Sequence, residues 1–184
     1  MNGLDLSYAN DLTLDNLKEL KNLYDLKFMI LRLGYSTSLD DKVEKYVEMC
    51  KTLDLSVSFY HFSYATNLDK AKQEAEFVNK HVSRLEDNPF LPIYFDFEYD
   101  SEKYYRSKNG CDITEKIYQA FYQIYDQNIE YAVGIYFNND YFNRFTDTIS
   151  KIPIENRWIS YGNKDVAGMQ QTQINYKNKK IDIN

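Results

Sequence analysis

A regular alternation of strand-like and helix-like segments is the feature that most constrains the fold of this chain. Short apolar runs alternate with longer segments in which apolar residues recur every three or four positions. This alternation is typical of parallel strands joined by crossover helices. Five such units are followed, after Pro153, by three short strand-like segments that leave no room for helices between them. A count of eight strands favours closure into a barrel.

The predicted elements cover most of the chain. We expect strands at residues 3–7, 27–33, 55–62, 91–97, 131–137, 157–160, 166–172 and 180–183. We expect helices at residues 13–24, 40–52, 67–85, 112–127 and 140–150, and a polar loop at residues 100–110. An open doubly wound sheet is the alternative fold, but no glycine-rich phosphate-binding loop follows the first strand. With 184 residues the chain is too short for two ordinary domains, so we predict one domain over residues 1–184.

Two acidic residues end the predicted strand at residues 91–97. Because side chains alternate along a strand, Asp96 and Glu98 point to one face while Phe95 and Phe97 point to the other. Two carboxylates on a poorly solvated face repel each other, so we expect one to be protonated near neutral pH and its neighbour to be ionised. We expect a raised pKa for Glu98, because it shares this face with Asp96 and lies between aromatic neighbours. Cleavage of a glycosidic bond requires this division between an acid and an ionised partner. The alternative is a strand that ends in solvent, where acidic residues are ordinary.

Other polar and aromatic residues fall at or near the ends of predicted strands. In a barrel of parallel strands, the carboxyl ends meet at one mouth, and active sites lie there. We therefore expect one site formed by Asp5, Tyr35, Tyr60, Asp96, Glu98, Tyr136, Trp158 and Asp182. For the aromatic members, packing in the core of the barrel is the alternative.

Charge and composition argue against several kinds of partner. The formal net charge of −6 disfavours binding to nucleic acid or an anionic membrane, because such partners require clustered Lys and Arg. Cys50 and Cys111 have no second pair, and His61 and His81 are isolated, so neither a disulfide framework nor a metal site is predicted. The sequence has no apolar run of about 18 residues and no basic region followed by an apolar one at its N-terminus. We therefore expect neither a membrane span nor a secretory signal.

Several motifs carry a resemblance to a known family when they are taken in order. They are GLDLS at residues 3–7, LRLGY at 31–35, FYHF at 59–62, DFE at 96–98 and IDIN at 181–184. Together they resemble glycoside hydrolase family 25, the muramidase-type lysozymes of bacteria and of phage lysins. The resemblance implies an α/β fold, an incomplete TIM-like (β/α)5(β)3 barrel, in agreement with the strand count. It also implies hydrolysis of the β-1,4 bond between N-acetylmuramic acid and N-acetylglucosamine in peptidoglycan, with no cofactor.

The resemblance also implies roles for individual residues. Glu98 matches the general acid of the family, Asp96 matches its partner carboxylate, and Asp5 and Asp182 match two further acids of the pocket. A retaining route is implied, in which the acetamido oxygen of the sugar attacks and Asp96 stabilises the resulting oxazolinium. The predicted substrate-binding residues are Tyr35, Tyr60, Tyr136, Trp158 and Gln170. We expect a monomer that acts on peptidoglycan at the bacterial cell wall, released by a phage or exported by another route.

Two positions depart from the family pattern and keep other functions open. Tyr8 stands where members often carry a bulkier or basic residue, and Met169 stands where they usually carry Trp. A wall-binding module that has lost turnover is therefore one alternative, although retention of all four acids counts against it. A chitinase-like hydrolase of another barrel family is the second alternative. Such enzymes usually extend the acidic motif upstream with further acids and a Gly, which this chain lacks.

Overall fold

The residues that the computed structural model describes, 1–162, 164–177 and 179–184, form one sheet whose edges join to close a barrel. Nine strands lie in this described part of the chain. They are β1 (Asn2–Leu6), β2 (Leu26–Tyr35), β3 (Ser38–Leu39), β4 (Ser56–Phe62), β5 (Ile93–Asp96), β6 (Val133–Asn138), β7 (Arg157–Ser160), β8 (Met169–Tyr176) and β9 (Lys179–Ile183).

The ring runs β1-β2-β4-β5-β6-β7-β8-β9 and returns to β1. Pairing is parallel from β1 through β8, while β9 is antiparallel to both β8 and β1. The short β3 forms a hairpin with β2 and lies outside the ring. The predicted incomplete TIM-like barrel is confirmed, because five helical connections precede three strands that follow one another without an α-helix.

The described α-helices lie in the first five connections of the barrel. They are α1 (Leu14–Tyr24), α2 (Val43–Thr52), α3 (Leu68–Leu85), α4 (Tyr99–Asn109), α5 (Glu115–Asn128), α6 (Asn139–Arg144) and α7 (Thr146–Ile149). Side chains cap several of their N-termini: Asn67 accepts from the backbone N–H of Lys70 at α3, and Thr13 accepts from that of Asn16 at α1. None of the described helices is long and apolar enough to cross a membrane.

Strand alternation sorts the side chains of the barrel into two layers. Outward residues such as Leu31, Phe59 and Phe95 belong to the large core between strands and helices. A smaller inner cluster consists of Phe28, Ile30, Tyr94, Tyr136 and Trp158. The inner cluster fills the barrel, so the candidate site lies above a packed floor rather than over an open channel.

The prediction of a polar loop at residues 100–110 is wrong, because the helix α4 covers Tyr99–Asn109. The backbone N–H of Glu98 donates to the Ser101 hydroxyl at the start of this helix, and Gly110 ends it in the left-handed conformation at φ 70°. Glu102 on its buried face forms an ion pair with Arg144 of α6. The helix is too polar to show an apolar stripe, so its buried face depends on tertiary contacts. The predicted helix at residues 140–150 is divided into α6 and α7.

Candidate functional site

The four predicted acidic residues line one pocket at the mouth of the barrel. Asp96 is the last residue of β5, Glu98 precedes α4, and Asp5 of β1 faces Asp182 of β9 in the antiparallel ladder. The pocket has a volume of about 320 Å³. Its lining consists of Asp5, Arg32, Tyr60, Phe62, Asp96, Glu98, Tyr136, Trp158, Tyr161, Gln171, Gln173 and Asp182.

Asp96 is the most deeply placed acid of the pocket. Its side chain is buried, and its Oδ1 has no hydrogen-bond partner among the described residues. Burial raises the pKa of Asp96 well above its usual range, and the charges of Glu98 and Asp5 raise it further. A buried carboxylate oxygen without a donor is poorly solvated, which is consistent with the raised pKa of Asp96.

Glu98 lies nearer the opening of the pocket and is partly exposed. Burial raises its pKa to about 7, and the charge of Asp100 contributes in the same direction. The N-terminus of α4 would favour an ionised carboxyl, so burial outweighs the helix dipole here. The predicted rise in the pKa of Glu98 is confirmed. Burial, one of the two predicted causes, is the largest, and the charge of Asp100 adds to it, while the repulsion between Asp96 and Glu98 raises the pKa of Asp96.

Asp5 is held by two carboxamide side chains. Its Oδ2 accepts hydrogen bonds from Gln171 Nε2 at 3.0 Å and from Asn184 Nδ2 at 3.1 Å. The oxygen of Gln171 accepts from the Tyr136 hydroxyl at 2.8 Å, and that of Asn184 accepts from the Trp158 ring N–H at 2.8 Å. Burial raises the pKa of Asp5 to about 7, with a further rise from the charge of Asp182. The network fixes the orientation of Asp5 and of both aromatic rings.

The remaining charged groups of the pocket are Asp182 and Arg32. Burial raises the pKa of Asp182, although Gln173 Nε2 donates to its Oδ1 at 3.0 Å. Arg32 forms a nearly buried ion pair with Asp40 at 2.8 Å. Its positive charge also lowers the pKa of Asp96, against the effect of burial.

The predicted aromatic residues of the pocket pack against one another. The Trp158 ring lies 4.5 Å from the Tyr136 ring, 5.1 Å from that of Tyr94 and 6.0 Å from that of Tyr60, measured between ring centres. Trp158 and Tyr136 are buried, so they form the floor of the pocket and present little open ring surface. Tyr161, which the sequence analysis missed, is 56% exposed at the rim. Its position directly after the predicted strand at residues 157–160 could have identified it.

Two predicted substrate-binding residues lie outside this pocket. Gln170 does not enter it, because strand alternation turns Gln170 away and its side-chain N–H donates to the carbonyl of Gly162 at 2.6 Å. Its neighbours Gln171 and Gln173 face inward instead. Tyr35 is half exposed and lines an adjacent cavity. With the register of β8 known, the same alternation would have predicted Gln171 and Gln173 as the residues that line the pocket.

The chemistry of the pocket follows from its carboxyl groups. Glu98 and Asp5 each have a pKa of about 7, so each can hold or release a proton near neutral pH. Within the described residues, no group of three or more His, Cys, Asp or Glu side chains is placed to hold a metal ion. Neighbouring carboxyl groups at the mouth of a barrel are typical of glycoside hydrolases with a barrel fold, and this is the class of protein that the fold and the site indicate.

A family model described as Glycosyl hydrolases family 25 matches residues 17–181, and the chain belongs to this family. No sequence match is found among curated proteins. Solved structures share the fold at low sequence identity. The modular autolysin LytC from Streptococcus pneumoniae is 18% identical, with a TM-score of 0.78 over 99% of this chain and 45% of its own. This chain therefore spans less than half the length of that protein.

Two further solved structures are similar over nearly the whole of this chain. The spore cortex lytic enzyme SleM from Clostridium perfringens is 17% identical, with a TM-score of 0.72 over 99% of this chain and 65% of its own. A family GH25 lysozyme from Aspergillus fumigatus is 17% identical, with a TM-score of 0.67 over 99% of this chain and 92% of its own. At these identities the likeness shows the common fold.

Proposed function

We propose that this protein is a peptidoglycan hydrolase of the muramidase type, which cleaves the β-1,4 bond between N-acetylmuramic acid and N-acetylglucosamine. The observation that carries the proposal is a partly buried carboxyl, Glu98, in the same pocket as a second acid, Asp96. Its pKa of about 7 lets Glu98 donate a proton near neutral pH. Membership of the family supports this reaction. LytC, which shares the fold, has been solved in complex with a synthetic peptidoglycan ligand.

In the proposed mechanism, Glu98 transfers its proton to the glycosidic oxygen as the bond from that oxygen to the anomeric carbon breaks. The acetamido oxygen of the same sugar attacks the anomeric carbon and forms an oxazolinium. Arg32, whose charge lowers the pKa of Asp96, favours the ionised form in which Asp96 stabilises the positive charge that develops. Water then attacks the anomeric carbon, the bond from that carbon to the acetamido oxygen breaks and restores the acetamide, and Glu98 accepts the proton that the water loses. Configuration at the anomeric carbon is retained.

The remaining residues bind and orient the substrate in this proposal. Asp5 is oriented by Gln171 and Asn184, and it faces the sugar together with Asp182. Tyr60, Tyr136 and Trp158 form the floor on which the sugar rests. The geometry of the pocket does not support substrate binding by Gln170, whose side chain donates to the carbonyl of Gly162. Tyr35 lines the adjacent cavity.

The proposed setting is the bacterial cell wall, where peptidoglycan is the substrate. We propose that residues 1–184 act as a single catalytic domain and as a monomer. Family membership and the lytic neighbours support action on the wall.

The test is a digest of purified peptidoglycan followed by mass spectrometry of the released fragments. We expect new reducing ends that carry muramic acid, and we expect none from Glu98→Gln, which keeps the size of the side chain but has no proton to donate. Reducing ends that carry glucosamine would indicate a glucosaminidase instead. Binding to the wall without any new reducing ends would contradict the proposal and favour the inert module.

A further inference from the structure

A cluster of polar side chains is buried between the barrel and its helices, on the outer side of β4. Its members are His61 and Ser63 at the end of β4, Glu74 of α3 and Tyr125 of α5. The Tyr125 hydroxyl lies 2.8 Å from Glu74 Oε2 and 2.8 Å from His61 Nδ1. The Ser63 hydroxyl donates to the same carboxyl oxygen at 2.6 Å. Because buried polar groups are costly unless they are paired, the hydrogens of this cluster can be assigned by counting donors and acceptors.

The contact between His61 and Ser36 fixes the first hydrogen. His61 Nε2 lies 2.8 Å from the carbonyl oxygen of Ser36, and a carbonyl can only accept, so Nε2 carries a hydrogen. In a neutral imidazole the other nitrogen is then an acceptor, and His61 Nδ1 accepts from the Tyr125 hydroxyl. Tyr125 has no second hydrogen to donate. Its contact with Glu74 therefore requires a hydrogen on the carboxyl group.

The same number of hydrogens would fit an ionised Glu74 beside a doubly protonated His61. Burial disfavours both charges, because it raises the pKa of Glu74 and lowers that of His61 to about 4. Three charged groups also act on members of the cluster: Lys70 of α3, Arg32 of β2 and Asp96 of β5. Arg32 lowers the pKa of His61 further. The hydrogen bonds to Glu74 and the charge of Lys70 lower its pKa by less than burial raises it, so the neutral arrangement is favoured.

The backbone of β4 connects this cluster to the acidic pocket. Tyr60 and Phe62 alternate with His61 along the strand, and both line the pocket on its inner side. The backbone N–H of Ser63 donates to the carbonyl of Asp96 at 2.8 Å. The cluster therefore holds the end of the strand that carries part of the pocket lining and contacts the backbone of Asp96.

We propose that Glu74 is a buried neutral carboxylic acid that fixes the end of β4 beside Asp96, and that it acts in this way as a positioning residue for the acidic pocket. The hydrogen bonds then run in one direction, from Ser63 through Glu74, Tyr125 and His61 to the carbonyl of Ser36. The effect on turnover rests on the proposed function, whereas the placement of the hydrogen does not.

The first experiment locates the hydrogen by nitrogen NMR of the full chain labelled in histidine. The sequence contains two histidines, His61 and His81, and the variant His81→Gln assigns their signals. We expect His61 to stay neutral, with its hydrogen on Nε2, from pH 5 to pH 8. Glu74→Gln should leave these signals in place, because the amide also donates to Tyr125. A doubly protonated ring, or a hydrogen on Nδ1 alone, would overturn the neutral Glu74.

The second experiment compares two variants that each lose one buried hydroxyl of α5. Tyr125→Phe interrupts the cluster and should lower kcat/KM on soluble peptidoglycan fragments by about 3- to 30-fold, because the end of β4 is less well positioned. Tyr122→Phe is the matched control, since the Tyr122 hydroxyl donates to the carbonyl of Val133, at the start of β6 and the opposite end of the barrel. Its kcat/KM should equal that of the parent. Glu74→Gln should retain activity, whereas Glu74→Met, which has no donor, should behave like Tyr125→Phe.

The rate of amide hydrogen exchange at Ser63 reports the position of this strand end without turnover. It should rise about tenfold in Tyr125→Phe and stay unchanged in Tyr122→Phe. Equal kcat/KM or equal Ser63 exchange in the parent and Tyr125→Phe would overturn the positioning role. Equal losses of activity in Glu74→Gln and Glu74→Met would overturn the neutral acid. Absence of cleavage by the parent would contradict the proposed function, while the His61 signals and the Ser63 exchange would still decide this inference.

Discussion

The pKa of Glu98 leads to a prediction about the alkaline limb of the pH profile. If Glu98 donates a proton, activity depends on its protonated fraction. With a pKa of about 7, that fraction is about half at pH 7, about a tenth at pH 8 and about a hundredth at pH 9. The kcat/KM for wall digestion should therefore fall about fivefold from pH 7 to pH 8 and about tenfold from pH 8 to pH 9.

Asp100→Asn tests the physical cause of this limb. Removing the like charge lowers the pKa of Glu98, so the limb should move to lower pH. The movement should be smaller than the shift that burial produces, because burial is the larger cause. Asp41→Asn is the matched control for the position of the limb, since Asp41 is an exposed acid that lines the same cavity as Asp100 and Tyr35 but does not act on the pKa of Glu98.

The assay is release of reducing ends from purified peptidoglycan between pH 5 and 9, at constant ionic strength because surface charges are screened by salt. Melting temperatures at each pH confirm that the variants remain folded. A rate that stays level or rises through pH 8 would refute the assignment of Glu98 as the acid. A limb that stays in place in Asp100→Asn would refute the electrostatic reasoning.

Three further predictions concern turnover and stability. Asp96→Asn should lower turnover on the order of 10²–10⁴-fold with little change in wall binding, as measured by initial rates and pull-down with insoluble wall. The folded pKa of Asp5 is raised to about 7, so the folded state binds more protons than the unfolded state between about pH 4 and pH 7. The free energy of unfolding should therefore fall across that window, and Asp5→Asn should make urea unfolding less dependent on pH. Arg144→Ala leaves the carboxylate of Glu102 buried and should cost about 1–3 kcal/mol in urea unfolding, whereas Arg84→Ala removes an exposed pair and should cost less than about 1 kcal/mol.

Distinct outcomes would contradict these three predictions. Normal turnover in Asp96→Asn would remove this acid from the mechanism. A parallel pH dependence of stability in the parent and in Asp5→Asn would show that the raised pKa of Asp5 does not contribute. Equal costs for Arg144→Ala and Arg84→Ala would show that burial of Glu102 adds nothing to its ion pair.

The sequence by itself predicted the barrel because periodicity is a local property of the chain. Strands that alternate with helices must be parallel, and the absence of helices after Pro153 is visible as a lack of length between the last strands. The helix α4 was missed for the same reason. Its residues are polar, and the contact between Glu102 and Arg144 that buries one face joins positions 42 residues apart.

Asp5, Asp96 and Glu98 could also be found in the sequence, because each lies at or just beyond the end of a parallel strand, and parallel strands end together. Asp182 lies on the antiparallel β9, and its pairing with Asp5 brings it to the same mouth. Tertiary structure alone decided which neighbours they face. The inward register of β8 brings Gln171 to Asp5 and turns Gln170 away. Pairing between β8 and β7 sets that register, and a shift of one residue would exchange the two faces.

The electrostatics of the site likewise required the folded chain. Spacing along β5 indicated that Asp96 and Glu98 share a face, and it correctly predicted a raised pKa for Glu98. The folded chain shows that burial is the larger cause of that rise and that the charge of Asp100 raises the pKa of Glu98 further. The cavity that Tyr35 lines brings together Tyr8, Arg32 and Tyr64 from separate elements, and of these residues only Tyr35 had a signal in the sequence. Distances across a barrel mouth depend on closure of the ring, which no single stretch of sequence encodes.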